Sequence, residues 1–159
     1  QKDYKVHTPI VEEILKPEYD CLLGLACTDV RNRDVRAQLK KLSDDIADDF
    51  RPIRNEVAGR AVGSQVSPVL ITKILMGTLG CVPAYDRFFE EGAKYLGLEK
   101  KSYNKDSLLE LADFYEEHND RLEEARRGMR TDDLIYPQMK LLDMGLWQVG
   151  FERDAAGAK

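Results

Sequence analysis

The sequence predicts an all-α fold built around one core, and three observations carry that reading. Apolar residues recur at three- and four-residue spacing in separate stretches along the whole chain, the period of an amphipathic helix. No stretch alternates apolar and polar residues at period two, as a half-buried strand does. Helix-starting pairs (Thr8-Pro9, Ser67-Pro68) and helix-ending glycines (Gly80, Gly97, Gly128) punctuate those stretches where caps belong.

The first helix is expected to open at Thr8-Pro9, ahead of the apolar residues Ile10, Val11, Ile14 and Leu15, and to stop at Pro17. Tyr19 to Ala26 is a nearly continuous apolar run, read as a short buried helix packed closely through Gly24. From Asn32 to Phe50, Val35, Leu39, Leu42 and Ile46 form one face, with Arg33, Lys40, Lys41, Asp44 and Asp48 opposite them, so this is a surface helix. Arg51 to Gln65 contains Pro52, Gly59 and Gly63 and reads as a separator with a turn at Gly63. Val69 to Leu79 is apolar nearly all round, a helix enclosed by others that ends at Gly80 and Pro83. A helix from about Ala84 to Leu96 follows, closed by Gly97. The lysine-rich loop to Asp106 leads into a long helix ending at Gly128, with Leu108, Leu111, Ala112, Tyr115, Leu122 and Ala125 inward. After Pro137 the run from Met139 to Phe151 makes a strongly apolar last helix.

With 159 residues and 43% hydrophobic content, the chain can bury one core but not two. Residues 1–153 are therefore read as a single compact helical domain and 154–159 as a frayed tail. A net charge of −5 argues against a protein that coats nucleic acid by bulk electrostatics, while leaving room for local basic patches. No apolar run reaches membrane-spanning length and the N-terminus lacks a signal-peptide pattern, so a cytoplasmic protein without a membrane partner is expected. Because the chain opens at Gln1, a piece of a longer protein is also expected. Cys21, Cys27 and Cys81 have no CxxC spacing and are read as reduced thiols. With only His7 and His118, a histidine-built zinc site or a Ser-His-Asp triad is poorly supplied, and neither metal nor cofactor is expected. Arg54-Asn55-Glu56 lacks the nearby histidine that an all-α ribonuclease would pair with it.

The chemistry-bearing stretch runs from Gly63 to Phe89. Lys73 sits in an otherwise apolar helix, where an ammonium must shed its proton or find a carboxylate. Asp86 follows the Gly80 and Pro83 turn, where the reversing chain can bring its carboxylate back to Lys73. A neutral amine beside an aspartate is the pair needed for amine attack on a sugar carbon.

A glycine-containing turn, a helix bearing Thr72-Lys73 and an apolar run, then Val82-Pro83-x-x-Asp86 opening the next helix, resemble the helix-hairpin-helix DNA glycosylase superfamily, nearest its 8-oxoguanine glycosylase branch. The closing helix Met139-Lys-Leu-Leu-Asp-Met-Gly-Leu-Trp-Gln-Val-Gly150 is similar to that of small bacterial proteins with this fold. The resemblance implies a central helix-hairpin-helix-like unit and excision of a modified or damaged base flipped out of DNA. It makes Lys73 the nucleophile at C1′ and Asp86 the group that stabilises the sugar cation and assists proton transfer. Phosphate contacts are expected from Arg33, Arg36, Lys40, Arg54 and Arg60 and from the turn Gly63-Ser64-Gln65. Tyr85, Phe89 and Trp147 are the candidate base-pocket residues.

Each feature also has a structural reading that the residues alone leave open. Lys73 can snorkel to water, Asp86 can serve only as a helix N-cap, and Trp147 can be a core anchor. The arginines can be a solvated face paired with Asp44, Asp45, Asp48 and Asp49, and a second cluster, Arg121, Arg126, Arg127 and Arg130, can pair with Glu116, Glu117, Glu123 and Glu124. The alternative function is a non-catalytic helical module that binds a protein or nucleic acid.

Overall fold

A computed structural model describes residues 7–58, 65–100 and 102–157. Gly63, Ser64, Arg60 and the turn assigned to them lie outside the described residues, as does the side chain of Arg54. The described chain is all-α: α1 (Thr8–Ile14), α2 (Arg33–Ala58), α3 (Pro68–Thr78), α4 (Arg87–Tyr95), α5 (Lys105–Glu117), α6 (Asn119–Gly128) and α7 (Gln138–Gly157). Among the described residues the only strand-like pairing is one bridge, Thr131 to Leu134. No described helix is long and apolar enough to cross a membrane.

Between α1 and α2 the chain makes two 3₁₀ turns, Pro17–Leu22 and Cys27–Arg31, where the sequence predicted one buried α-helix. Tyr19 and Leu22 are buried as expected, but Gly24 serves another purpose. Nothing lies within 4 Å of a Cβ built there; the residue is needed for φ +64°, which lets its N–H reach the Leu79 carbonyl at 2.8 Å. The Arg36 guanidinium then closes the second turn by donating to the carbonyls of Val30 and Arg31 at 2.6 and 2.8 Å.

Helix α2 does not stop before Pro52 but continues through it to Ala58. A proline removes one N–H from the ladder, and the buried stripe Leu39, Leu42, Ile46 and Phe50 holds the helix in place up to that gap. Helix α3 starts where Ser67 accepts from the Leu70 N–H at 3.2 Å. It is not enclosed on all sides: Ile71, Thr72 and Leu75 face the core, whereas Lys73, Gly77 and Thr78 face water. Helix α4 begins later than Ala84 because Asp86 takes the N-cap. The long helix expected up to Gly128 is two, broken at His118, with Asn104 capping α5 through the N–H groups of Asp106 and Ser107. Helix α7 runs past 153 to Gly157, and Asp154 accepts from Arg87 at 3.1 Å. Residues 158 and 159 lie outside the described chain.

Two close approaches place α7. A Cβ on Gly92 would overlap the Leu146 carbonyl, and one on Gly150 the Phe88 carbonyl, so α4 and α7 cross backbone to backbone. Gly80, at φ +63°, accepts the Pro137 ring against it in the same way. A half-buried network seats the start of α7: Glu123 accepts from Tyr115 (2.8 Å), from Gln138 (2.8 Å) and from both sides of Arg126, which also donates to the Tyr136 carbonyl. Cys27 and Cys81 are buried free thiols and Cys21 an exposed one; burial pushes the Cys81 thiol up to about 12.

Replacing Gly92 or Gly150 with alanine is expected to cost about 3 kcal/mol or more, since backbone has to move to admit the methyl group; urea unfolding measures it. Burial raises the Glu123 carboxyl, but hydrogen bonds from Arg126, Tyr115 and Gln138 hold it at about 2 against an ordinary 4.5. The folded value lies below the unfolded one, so this stabilisation is full above about pH 4.5 and is lost as pH falls toward 2. Glu123→Gln is expected to lose on the order of 2 kcal/mol near neutral pH and to flatten the acid limb of a stability curve.

Candidate functional site

The site is assembled from α3, the loop that follows it, and α7. Thr72, fully buried, donates from Oγ1 to the Ala84 carbonyl at 2.6 Å. The Ala84 N–H in turn donates to Asp143 Oδ1 at 2.8 Å. Ala84 is thus gripped by α3 on one side and α7 on the other. Tyr85 next adopts φ +47°, a conformation uncommon outside glycine, and this turn swings Asp86 toward α3.

Asp86 uses its two oxygens separately. Oδ1 accepts from the Phe89 N–H at 3.2 Å as the cap of α4, and Oδ2 lies 3.2 Å from Lys73 Nζ. Asp86 therefore caps α4 and at the same time faces Lys73. The Lys73 side chain is 51% exposed, so it is not enclosed by apolar neighbours; it runs along the surface of α3 and ends at Asp86. Together they border a pocket of ≈ 550 Å³ whose other walls include Met76, Asp143, Met144 and Trp147.

Asp143 is the deepest charged group there, 6% exposed. Burial raises its carboxyl above the ordinary value, the Ala84 N–H and Lys140 oppose the rise, and nearby Asp86 adds to it. Lys140 stands 3.9 Å from Asp143 and 2.9 Å from the Met76 sulfur. Trp147 is half-buried: one side lines the pocket, while its ring stacks on Phe151 at 5.1 Å and meets Phe88 edge-on at 5.2 Å. The wall is therefore preassembled from aromatic surface.

Other expected site residues are elsewhere. Tyr85 and Phe89 do not line the pocket; they are 2% and 1% exposed, pack on each other at 4.8 Å, and the Tyr85 hydroxyl bonds Ser107 at 2.9 Å. Their apolar bulk is needed in the core, where the strained turn drives the Tyr85 ring. Arg33, Arg36 and Lys40 border a different cleft, reached from the Pro68 and Ile71 face of α3. Arg36 is occupied by backbone carbonyls and Lys40 by Asp44 at 2.6 Å. Gln65 is exposed just ahead of α3. In the second arginine cluster, Arg126 pairs with Glu123 and Arg130 with Asp133, so those two cations are engaged locally.

Sequence reasoning missed Thr72, Met76 and Asp143. Asp143 carried a signal of the kind that exposed Lys73: it is the one acid in the apolar run from Met139 to Gly150. Among the described residues no cluster of histidine, cysteine and carboxylate side chains is arranged to hold a metal. Comparison of the chain with protein-family models, with curated proteins and with solved structures returns no match.

Asp143→Asn keeps an acceptor for the Ala84 N–H and removes the buried charge, so stability near neutral pH is expected to hold or rise. Because the folded value is raised, the wild type loses stability as pH climbs from the ordinary carboxyl value through the folded one, and the asparagine variant does not. Asp143→Ala orphans that N–H and is expected to cost about 1–3 kcal/mol, read by urea unfolding at pH 4 and 7.

Proposed function

We propose that the pocket bordered by Lys73 and Asp86 cleaves N-glycosidic bonds of modified or damaged bases in DNA by lysine attack. The observation that carries this reading is the approach of the Lys73 amine to 3.2 Å from a capped carboxylate at the mouth of a pocket with an aromatic wall. A glycosidic carbon needs a nucleophile, a negative charge that stabilises the developing sugar cation, and a flat surface for the extruded base. Lys73, Asp86 and Trp147 are of the right kinds for those three tasks.

In this scheme the half-exposed Lys73 ammonium gives its proton to solvent, and the freed lone pair forms a bond to C1′ as the bond to the base breaks, while Asp86 stays ionised beside the developing sugar cation. The departing base carries off the glycosidic electron pair and collects the proton released at the substituted nitrogen. The C1′–O4′ bond then opens as the nitrogen lone pair forms the C=N bond and O4′ takes a proton from solvent, leaving an iminium between Lys73 and C1′ that water hydrolyses. Asp143 acts from behind as a positioning residue, holding the peptide that aims Asp86.

A second reading, a non-catalytic module that binds a protein or nucleic acid, is favoured by the separation of Arg33, Arg36 and Lys40 from this pocket by α3. The cationic face and the pocket therefore open on different faces of α3.

Borohydride reduces an iminium to a stable amine, so a panel of duplexes carrying different modified bases tests the scheme directly. Wild-type protein is expected to form a covalent adduct with one of them; Lys73→Gln is expected to abolish it with helical content unchanged, and Asp86→Asn to slow base release at least about tenfold. No adduct with any duplex, or full base release by Lys73→Gln, excludes lysine catalysis and leaves the binding module.

A further inference from the structure

Across α3 from Lys73, helix α2 and the residues that open α5 enclose a cleft of ≈ 740 Å³. Leu39, Ile71 and Leu108, all core residues, close it from below, and the small side chains of Ala37 and Ala47 leave it open along α2. Its hydroxyls are already satisfied: Ser43 donates to the Leu39 carbonyl at 2.7 Å and lies 3.2 Å from the Tyr103 hydroxyl. The interior therefore asks for an apolar occupant.

The rim asks for an anion. Arg33, Arg36, Lys40 and Lys105 border the cleft against one acid, Asp44, in a chain whose net charge is −5. Lys40 neutralises Asp44, and backbone carbonyls hold Arg36. Among the described residues the side chains of Arg33 and Lys105 have neither an ion-pair nor a hydrogen-bond partner. They open α2 and α5, where the helix dipoles add to the positive field. The cleft is also polarised lengthwise: the cations occupy the first turns of α2, and Ala47 lies about 21 Å farther along the helix, on the stretch that faces α3.

We infer that this cleft binds a single-chain amphiphile with a carboxylate head, the head between Arg33 and Lys105 and the tail running toward Ala47 and Ile71. A docked peptide helix of the same length and about 10 Å across needs roughly 1,600 Å³, about twice what the cleft offers. The volume of ≈ 740 Å³ falls within the range of small-molecule sites.

Decanoate, decanol and acetate, titrated calorimetrically below micelle formation, separate the two demands. Decanoate is expected to bind saturably, with decanol and acetate each at least about tenfold weaker. The double variant Arg33→Gln and Lys105→Gln touches no internal partner, and is expected to weaken decanoate about tenfold while leaving decanol unchanged. Ala47→Phe fills the tail end and is expected to weaken both. Lys73→Gln is expected to change none of these values, which keeps the outcome separate from glycosidic chemistry. Decanoate that does not bind, that binds no better than decanol, or that binds the double variant as well as wild type overturns the inference.

Discussion

The α4 and α7 backbones touch at Gly92 and Gly150, and the positions of the other site elements follow from that contact. Helix α4 carries Asp86 at its N-terminus and α7 carries Asp143 and Trp147 on its flank, so the distance between these helices sets the width of the pocket. A methyl group on either glycine would force the helices apart, and a packed interior transmits such a displacement rather than absorbing it. The seat of Pro137 on Gly80 fixes α7 a second time, near its start, against the end of α3. Two contacts that depend on missing side chains thus hold one helix at two points.

Within that frame a single residue, Ala84, carries the alignment of the loop. Its carbonyl is tied to Thr72 and its N–H to Asp143, both out of water, so neither tie competes with solvent. The turn that follows costs on the order of 1–2 kcal/mol at Tyr85, whose positive φ crowds its own Cβ. Burial of the ring and its hydroxyl bond to Ser107 offset that cost. Strain here lies one residue from the carboxylate that faces Lys73.

The elements whose ends are written in local chemistry were legible in the sequence: Ser67-Pro68 opened α3, Gly97 closed the region after α4, and Pro137 preceded α7. Boundaries set by tertiary contacts were not. Helix α2 runs on past Pro52 to Ala58, and α7 runs to Gly157 with Asp154 paired to Arg87. At the site, Lys73 and Asp86 were legible because a charge in an apolar context is conspicuous. The assignment of Tyr85 and Phe89 to the pocket failed because an aromatic residue beside a functional aspartate can point either way, and the sign of one φ angle decides it. Thr72 and the glycine pair were invisible, since their roles exist only between segments far apart in the chain.

The divided carboxylate of Asp86 ties chemistry to folding at the scale of one helical turn. Oδ1 holds the Phe89 N–H and Oδ2 faces Lys73, so whatever draws charge from the carboxylate toward Lys73 also loosens the cap of α4. Exchange of the Phe89 amide proton with solvent therefore serves as a built-in gauge of that charge, readable by nuclear magnetic resonance without a label, a substrate or a mutation.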